Sequence, residues 1–336
     1  MGFYRKFLEV EMGDVDEGVR IGEPQRMDMD RPGEWRRSVN RESAAEAVRM
    51  MRECGRLDDL MGVRVRERRV CREGYEIPVR IYSPDGDGEV PVMLFCHGGS
   101  FSMNSVEVYD MVHRCFACYG RLAVVAVDYR LAPEYKFPCG LEDCYAALVW
   151  TAKHAWELGG NRDNISVCGD SSGGNFAAAL CLMAKDRKGP KIQRQALIYP
   201  VTSLAAEEPS ESETRYGKGY FLEYEDIRRL HEGYVPEGIK LTEPYLSPLF
   251  AEDLKGLPPA GFFSAECDPL LDQGLMYAAR LADAGVKTEY HVYKGMIHAF
   301  LNGDYDKTFE MIEDVCRYCS RIRGTAVQVP TSVSRS

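Results

Sequence analysis

From residue 90 onward, short β-rich runs recur along the chain: "VPVMLFCHG", "LAVVAVDY", "NISVCGD", "QALIYPV", "AGFFSAECD" and "TEYHVYKG". Amphipathic or small-residue stretches separate them, around 106–120, 139–159, 172–187, 272–285 and 304–322. Near-continuous apolar strands alternating with helices mark a parallel sheet covered on both faces, so the pattern predicts an α/β fold. Upstream the period changes. In "GVRVRERRV" Val63 and Val65 alternate with Arg64, Arg66 and Arg68, and "YEIPVRIYSP" follows. Such alternation predicts an antiparallel pair at one edge of the sheet with a face in water.

Two segments fall outside the alternation. Residues 1–60 carry "RESAAEAVRMMREC", with apolar positions at helical spacing. Residues 203–244 open with acidic, serine-rich "AAEEPSESETRYGKGYF" and continue into a short helix, "EDIRRLHEGYV". Both read as parts of a cap folded over a core made of 61–202 and 245–324. The end, 325–336, lacks periodicity and is expected to fray.

A chain of 336 residues can bury about three-quarters of its unfolded surface, enough for one large domain or two modest ones. The net charge of -10, with basic residues interleaved among acidic ones, excludes the concentrated positive face that tracks phosphates, so nucleic acid is not an expected partner. No stretch approaches the roughly 20 apolar residues that span a bilayer, and the N-terminal residues lack the apolar core of a signal peptide. A cytoplasmic protein is expected. The twelve cysteines sit mostly inside apolar runs without zinc-site spacings and read as reduced, buried residues. Cys115 and Cys118 have CxxC spacing but lie mid-helix, where they read as core cysteines one turn apart. No metal site and no cofactor are expected.

The chemistry concentrates in "ISVCGDSSGGNFAAAL". A serine hydroxyl attacks only if a base takes its proton and if it projects clear of its own backbone. Gly169, Ser171 and Gly173 fit Gly-x-Ser-x-Gly between an apolar strand and an alanine-rich helix, the strained turn that meets the second condition. A phosphate-binding turn would need the G-x-G-x-x-G register or a P-loop lysine, and both are missing. The backbone N–H of Ser172, next in the chain, would face a developing oxyanion, leaving its side chain incidental. "MLFCHGGSF" supplies a second glycine run after a strand, His97-Gly98-Gly99-Ser100, of the kind that lines a concavity for negative charge. His97 itself could be the base, but its place beside the glycines argues for a histidine bracing the loop, together with Gly98. An orienting acid and then a histidine should follow late strands. "FFSAECDPLLDQG" offers Asp268 and "HVYKGMIHAF" offers His298. His113, His154 and His231 fall in helical segments and His291 within a strand. Asp272 is the weaker acid candidate, with a structural brace as its alternative.

Together "HGGSF", "DYRLAPEYKFP", "GDSSGG", "YLSPLFAEDLKGLPPAGFFSAECDPLLDQG" and "GMIHAF" resemble the hormone-sensitive lipase family of carboxylesterases, within the α/β-hydrolase superfamily, over about residues 75–322. The resemblance implies a mostly parallel eight-stranded sheet with helices on both faces and a helical cap. It implies Ser171 as nucleophile, His298 as general base and acid, Asp268 as its orienter, and oxyanion donors in the N–H groups of Gly99, Ser100 and Ser172. The implied activity is cofactor-free hydrolysis of small esters with short to medium acyl chains. Arg130 and Glu134 of "DYRLAPEYKFP" would brace loops near the site. Ser100 replaces the third glycine of the usual His-Gly-Gly-Gly, and its Cβ is expected to demand an unstrained φ. Plant gibberellin receptors, which resemble this family, carry Gly-Gly-Ser there and lack the catalytic histidine, which is present here as His298. A non-hydrolytic small-ligand receptor and an amidase or peptidase on the same three residues are the alternative readings. Phe101, Tyr220 and Phe221 are candidate pocket liners, each with ordinary packing as its alternative. Family members often pair through late strands or helices, which leaves a homodimer open.

Overall fold

The computed structural model describes residues 31–86, 88–205, 208–303 and 306–321, with the backbone alone at 228, 230 and 231. The expectations for the first thirty residues and for the tail lie outside the described residues.

The six runs and the two upstream segments form one sheet of eight strands: β1 (Arg64–Arg72), β2 (Tyr75–Ser83), β3 (Val90–Cys96), β4 (Ala123–Val127), β5 (Gly160–Asp170), β6 (Arg194–Ile198), β7 (Ala260–Cys267) and β8 (Thr288–Ile297). Their spatial order is β1-β2-β4-β3-β5-β6-β7-β8. β2 runs antiparallel to both neighbours and all other pairs are parallel. The arginine-bearing β1 is an edge strand, as its alternation predicts.

Side chains of a strand point alternately to the two faces, and in the central strands both faces are dry. In β3, Val92 and Leu94 point to a core shared with Leu141, Leu148, Phe176 and Leu180, while Met93 and Phe95 point to one shared with Cys115, Phe116, Met311 and Ile312. The first layer contains α4 (Cys139–His154), α5 (Ser172–Asp186) and α8 (Leu271–Asp283), and the second contains α3 (Asp110–Gly120) and α9 (Asp306–Ser320). Two-sided burial is why these strands read as continuous apolar runs. At about 1.5–3 kcal/mol per fully buried large side chain, it dominates the favourable side of folding.

Strand order places the site. The chain leaves β3 for α3 on one face, and leaves the adjacent β5 for α5 on the other. Loops that diverge from neighbouring parallel strands open a crevice at their carboxyl ends. The loop after Cys96 and the turn at Ser171 bound that crevice.

Around this core lie α1 (Pro32–Glu53), α2 (Leu57–Met61), α6 (Glu211–Tyr216) and α7 (Tyr224–Tyr234). α1 begins nine residues before the stretch that its sequence marks most clearly, with Pro32 at its start, where the missing N–H costs nothing. Met50 and Met51 in its last turns pack into the α3/α9 layer, and Arg36 near its beginning pairs with Glu134. α6 grows out of the acidic serine-rich stretch. Ser210 and Glu213 form a reciprocal capping box there, so the polar residues start a helix instead of extending a loop.

Candidate active site

Ser171 stands between β5 and α5 at φ 54°, ψ -119°, a conformation that an L-residue holds at a cost of about 1–3 kcal/mol. The surroundings over-determine it. Its N–H donates to Ile198 O at 2.8 Å, and its carbonyl accepts from Asn175 and Val201 N–H, each at 3.1 Å. The flanking glycines are steric necessities: a Cβ on Gly173 would stand 2.0 Å from Cys96 O, and one on Gly169 would stand 2.3 Å from Gly173 O.

The two late strands deliver the other members of a line. His298 Nε2 lies 2.9 Å from Ser171 Oγ, and His298 Nδ1 lies 2.8 Å from Asp268 Oδ2. The second carboxylate oxygen, Oδ1, accepts the Leu270 N–H at 2.8 Å. Both side chains are removed from solvent, Asp268 at 1% and His298 at 5% exposure. Tyr199 sits at 4.8 Å from the imidazole in an edge-on contact. Beyond Ala265↔Tyr293 the next β7–β8 pairing is Cys267↔Ile297, so β8 carries two extra residues, and the buried Glu266 accepts the Gly295 N–H across the irregularity at 2.7 Å. This displacement presents His298 at the crevice. Asp272 lies apart from the line and holds α6: the Ser212 N–H donates to it at 2.8 Å, and the Asp272 N–H donates to Ser212 Oγ at 3.2 Å.

The loop after β3 is tied down residue by residue. Tyr129 O–H donates to His97 O at 2.6 Å and its ring stacks on the His97 imidazole at 4.3 Å. Complete burial pulls the His97 pKa down to about 4, so the ring is neutral at pH 7. His97 Nδ1 and Asn104 Nδ2 donate to Gly98 O at 2.8 and 3.1 Å, and Ser102 and Met103 N–H donate to Gly99 O at 2.9 and 2.8 Å. In a trans peptide the C=O and the following N–H point in opposite directions. Anchoring these two carbonyls therefore aims the N–H groups of Gly99 and Ser100 the other way, and among the described residues neither has a protein acceptor. The Ser172 N–H lies in the first turn of α5, which supplies no intrahelical acceptor. The three can serve one anion.

Ser100 departs from expectation. It sits at φ 54°, following Gly99 at 120° and preceding Phe101 at 60°, so its Cβ is carried in the left-handed region. That costs about 1–2 kcal/mol. Phe101 is 1% exposed, stacked face to face on Tyr234 at 4.0 Å and 5.4 Å from Phe176, so its ring is core packing and offers no open face as a pocket liner. Tyr220 and Phe221 are half-buried against Tyr216, Cys267 and Ile297, beside the residues that immediately precede Asp268 and His298. Arg130 forms a two-pronged pair with Asp143, both contacts at 2.8 Å, and reaches Tyr75.

Beside Ser171, sequence reasoning passed over Asp170 and set the Ser172 side chain aside. Asp170, buried in the turn, accepts the Gly98 N–H and the Tyr109 O–H, each at 2.7 Å, and burial raises its pKa to about 6. A charged residue ending an otherwise apolar strand was its available signal. The Ser172 side chain is not incidental: its Oγ accepts the Phe101 N–H at 3.2 Å. Among the described residues no cluster of three potential metal ligands occurs, and no helix is long and apolar enough to cross a membrane.

With this geometry established, comparison with known proteins gives a consistent answer. A family model described as the α/β hydrolase fold matches residues 93–302. The chain is 41% identical over 237 residues to an arylesterase of Saccharolobus solfataricus, covering 70% of this chain and 76% of the relative. It is 37% identical over 259 residues to the carboxylic ester hydrolase LipN of Mycobacterium tuberculosis, covering 74% and 68%. Among solved structures, an esterase of Pyrobaculum calidifontis superposes with a TM-score of 0.77 at 33% identity, over 86% of this chain and 94% of that one. The chain belongs to the hormone-sensitive-lipase-like branch of the α/β-hydrolase family and is a carboxylic ester hydrolase.

Proposed function

We propose that this carboxylesterase works through an acyl-enzyme on Ser171, with His298 as general base and acid and Asp268 as the carboxylate that orients it. The observation that carries the reading is the unbroken hydrogen-bonded line from Asp268 through both ring nitrogens of His298 to a hydroxyl on a strained strand-to-helix turn. His298 takes the Ser171 proton as Oγ attacks the ester carbonyl. The resulting oxyanion is held by the N–H groups of Gly99, Ser100 and Ser172, each such donor being worth roughly 2.7–4 kcal/mol of barrier. The imidazolium, stabilised by Asp268, protonates the departing alcohol. Water activated by the same imidazole then releases the acid and restores the serine.

Residues 1–60 and 203–244 act as the cap over this site in the same reading. In support, α6 is fastened to α8 through Ser212 and Asp272, and Tyr220 and Phe221 lie beside the strand ends that carry the acid and the base. The preferred substrates are small-molecule esters with acyl chains of roughly four to eight carbons, the length a capped pocket of ordinary size accommodates. The enzyme acts in the cytoplasm, and light scattering decides between monomer and homodimer. The test is hydrolysis of p-nitrophenyl esters of graded acyl length by the wild type and Ser171→Ala. A maximum at short to medium chains, lost in the variant, is expected; a rate that climbs steadily toward long-chain esters would refute the length limit, and undiminished turnover by the variant would refute the nucleophile.

A further inference from the structure

Both residues flanking Ser171 reach across the crevice to the loop that carries the oxyanion donors. Asp170 takes the Gly98 N–H at one end, and Ser172 Oγ takes the Phe101 N–H at the other. Gly99 and Ser100 lie between these two pins. The Phe101 end is held from a second direction as well: its carbonyl accepts the Ala132 N–H at 3.0 Å, and its ring lies on Tyr234 with centroids 4.0 Å apart and planes 1° from parallel. Tyr234 is the last residue of α7, and its carbonyl accepts the Phe137 N–H at 2.8 Å, which fastens the end of that helix to the rim of the core. Phe101 stands at φ 60°, where an aromatic residue stays only if its neighbours hold it.

We propose that Phe101 is a strut between the 203–244 segment and the oxyanion loop, and that Ser172 Oγ and the Tyr234 ring are the positioning groups that keep the Gly99 and Ser100 N–H groups aimed at the reacting carbonyl oxygen. The proposal rests on Ser171 being the nucleophile. Oxyanion donors act only within about 2.7–3.1 Å of the oxygen they stabilise. Freeing either end of Phe101 lets its φ relax toward negative values and swings the preceding peptides off target. Substrate contacts elsewhere in the pocket stay in place, so the loss falls on the transition state and not on ground-state binding. The strut also explains why the Ser172 hydroxyl is useful although it stands beside the nucleophile and is wholly buried.

The test compares full-length wild type, Ser172→Ala, Tyr234→Leu, Tyr234→Phe and the Ser172→Ala/Tyr234→Leu double variant on p-nitrophenyl butyrate. Each is first titrated with an organophosphate to count reactive Ser171. Inhibition by an aliphatic trifluoromethyl ketone, which binds as an oxyanionic adduct, is measured in parallel. Ser172→Ala and Tyr234→Leu are expected to lower kcat roughly tenfold with KM within about twofold, and to weaken the ketone by the same factor. Tyr234→Phe keeps the stacked ring and should match the wild type. The double variant should lose less than the product of the two single effects, because both act through Phe101. Unchanged kcat in Ser172→Ala, a loss confined to KM, or a fall in kcat without weaker ketone binding would overturn the strut. Should Tyr234→Leu not fold, the matched kcat and ketone ratios of Ser172→Ala decide alone. Failure of the wild type to label at Ser171 would sink the nucleophile assignment and the strut with it, an outcome separate from a labelled enzyme whose variants behave normally.

Discussion

Replacing Asp170 by Asn removes a charge from a buried position while keeping its shape, and the consequence can be worked out from its surroundings. The carboxyl is fully enclosed, and burial raises its pKa from 3.8 to about 6 although the Tyr109 O–H and the Gly98 N–H both favour the ionised form. A shift of roughly two units corresponds to about 3 kcal/mol. The folded protein therefore holds this proton more tightly than the unfolded chain does. The resulting stabilisation is complete below the unfolded value of 3.8 and is lost as pH rises through about 6. An asparagine cannot titrate. The stability of the wild type minus that of Asp170→Asn should accordingly fall by about 2.4 kcal/mol between pH 4 and pH 7. Urea unfolding of both proteins across that range measures the difference directly, and other titrating groups cancel in it. A difference that stays flat, or that grows with pH, would refute the claim that desolvation outweighs the two hydrogen bonds at this site.

The remaining predictions address the turn and the opposing histidine. Gly173→Ala would drive a Cβ to 2.0 Å from a strand carbonyl that cannot move without breaking the sheet, so calorimetry should register a loss of about 3 kcal/mol or more, with esterase activity falling alongside. His97 has the opposite linkage to Asp170: its pKa is lowered to about 4, so the stability it contributes is present above the unfolded value of 6.5 and disappears as pH falls toward 4. The stability advantage of the wild type over His97→Gln should shrink by about 3 kcal/mol from pH 7 to pH 4 in the same urea experiment, and an advantage independent of pH would contradict a buried, neutral ring.

Much of this molecule is legible in its sequence because its central strands are buried on both faces, and two-sided burial writes itself as apolar runs, unbroken at β3 and β4 and interrupted by few polar residues in the buried parts of β5 and β7. The three residues of the line are legible for a related reason. A serine between glycines, an acid and a histidine each stand just past the end of a strand, after β5, β7 and β8. What escapes is whatever depends on contacts between loops. Asp170 and Ser172 sit in plain view beside Ser171, yet their partners, Gly98 and Phe101, lie 72 and 71 residues away, and no local pattern encodes that approach. Phe101 reads as a pocket aromatic because it follows the oxyanion loop. Only its stacking on Tyr234, from a segment with no sheet period at all, shows that the ring is enclosed. Ser100 illustrates a different limit: the sequence identifies a missing glycine, but tight anchoring of the neighbouring carbonyls decides that a serine can occupy a positive φ.

The acyl-enzyme itself gives the most direct test of the central claim. Mixing the protein with p-nitrophenyl butyrate, quenching in acid within milliseconds and mapping the adduct by peptide mass spectrometry should find one butyryl group per chain on Ser171, with a matching burst of p-nitrophenol. His298→Ala should show neither. An adduct on another residue, or full turnover with no adduct at all, would contradict the account.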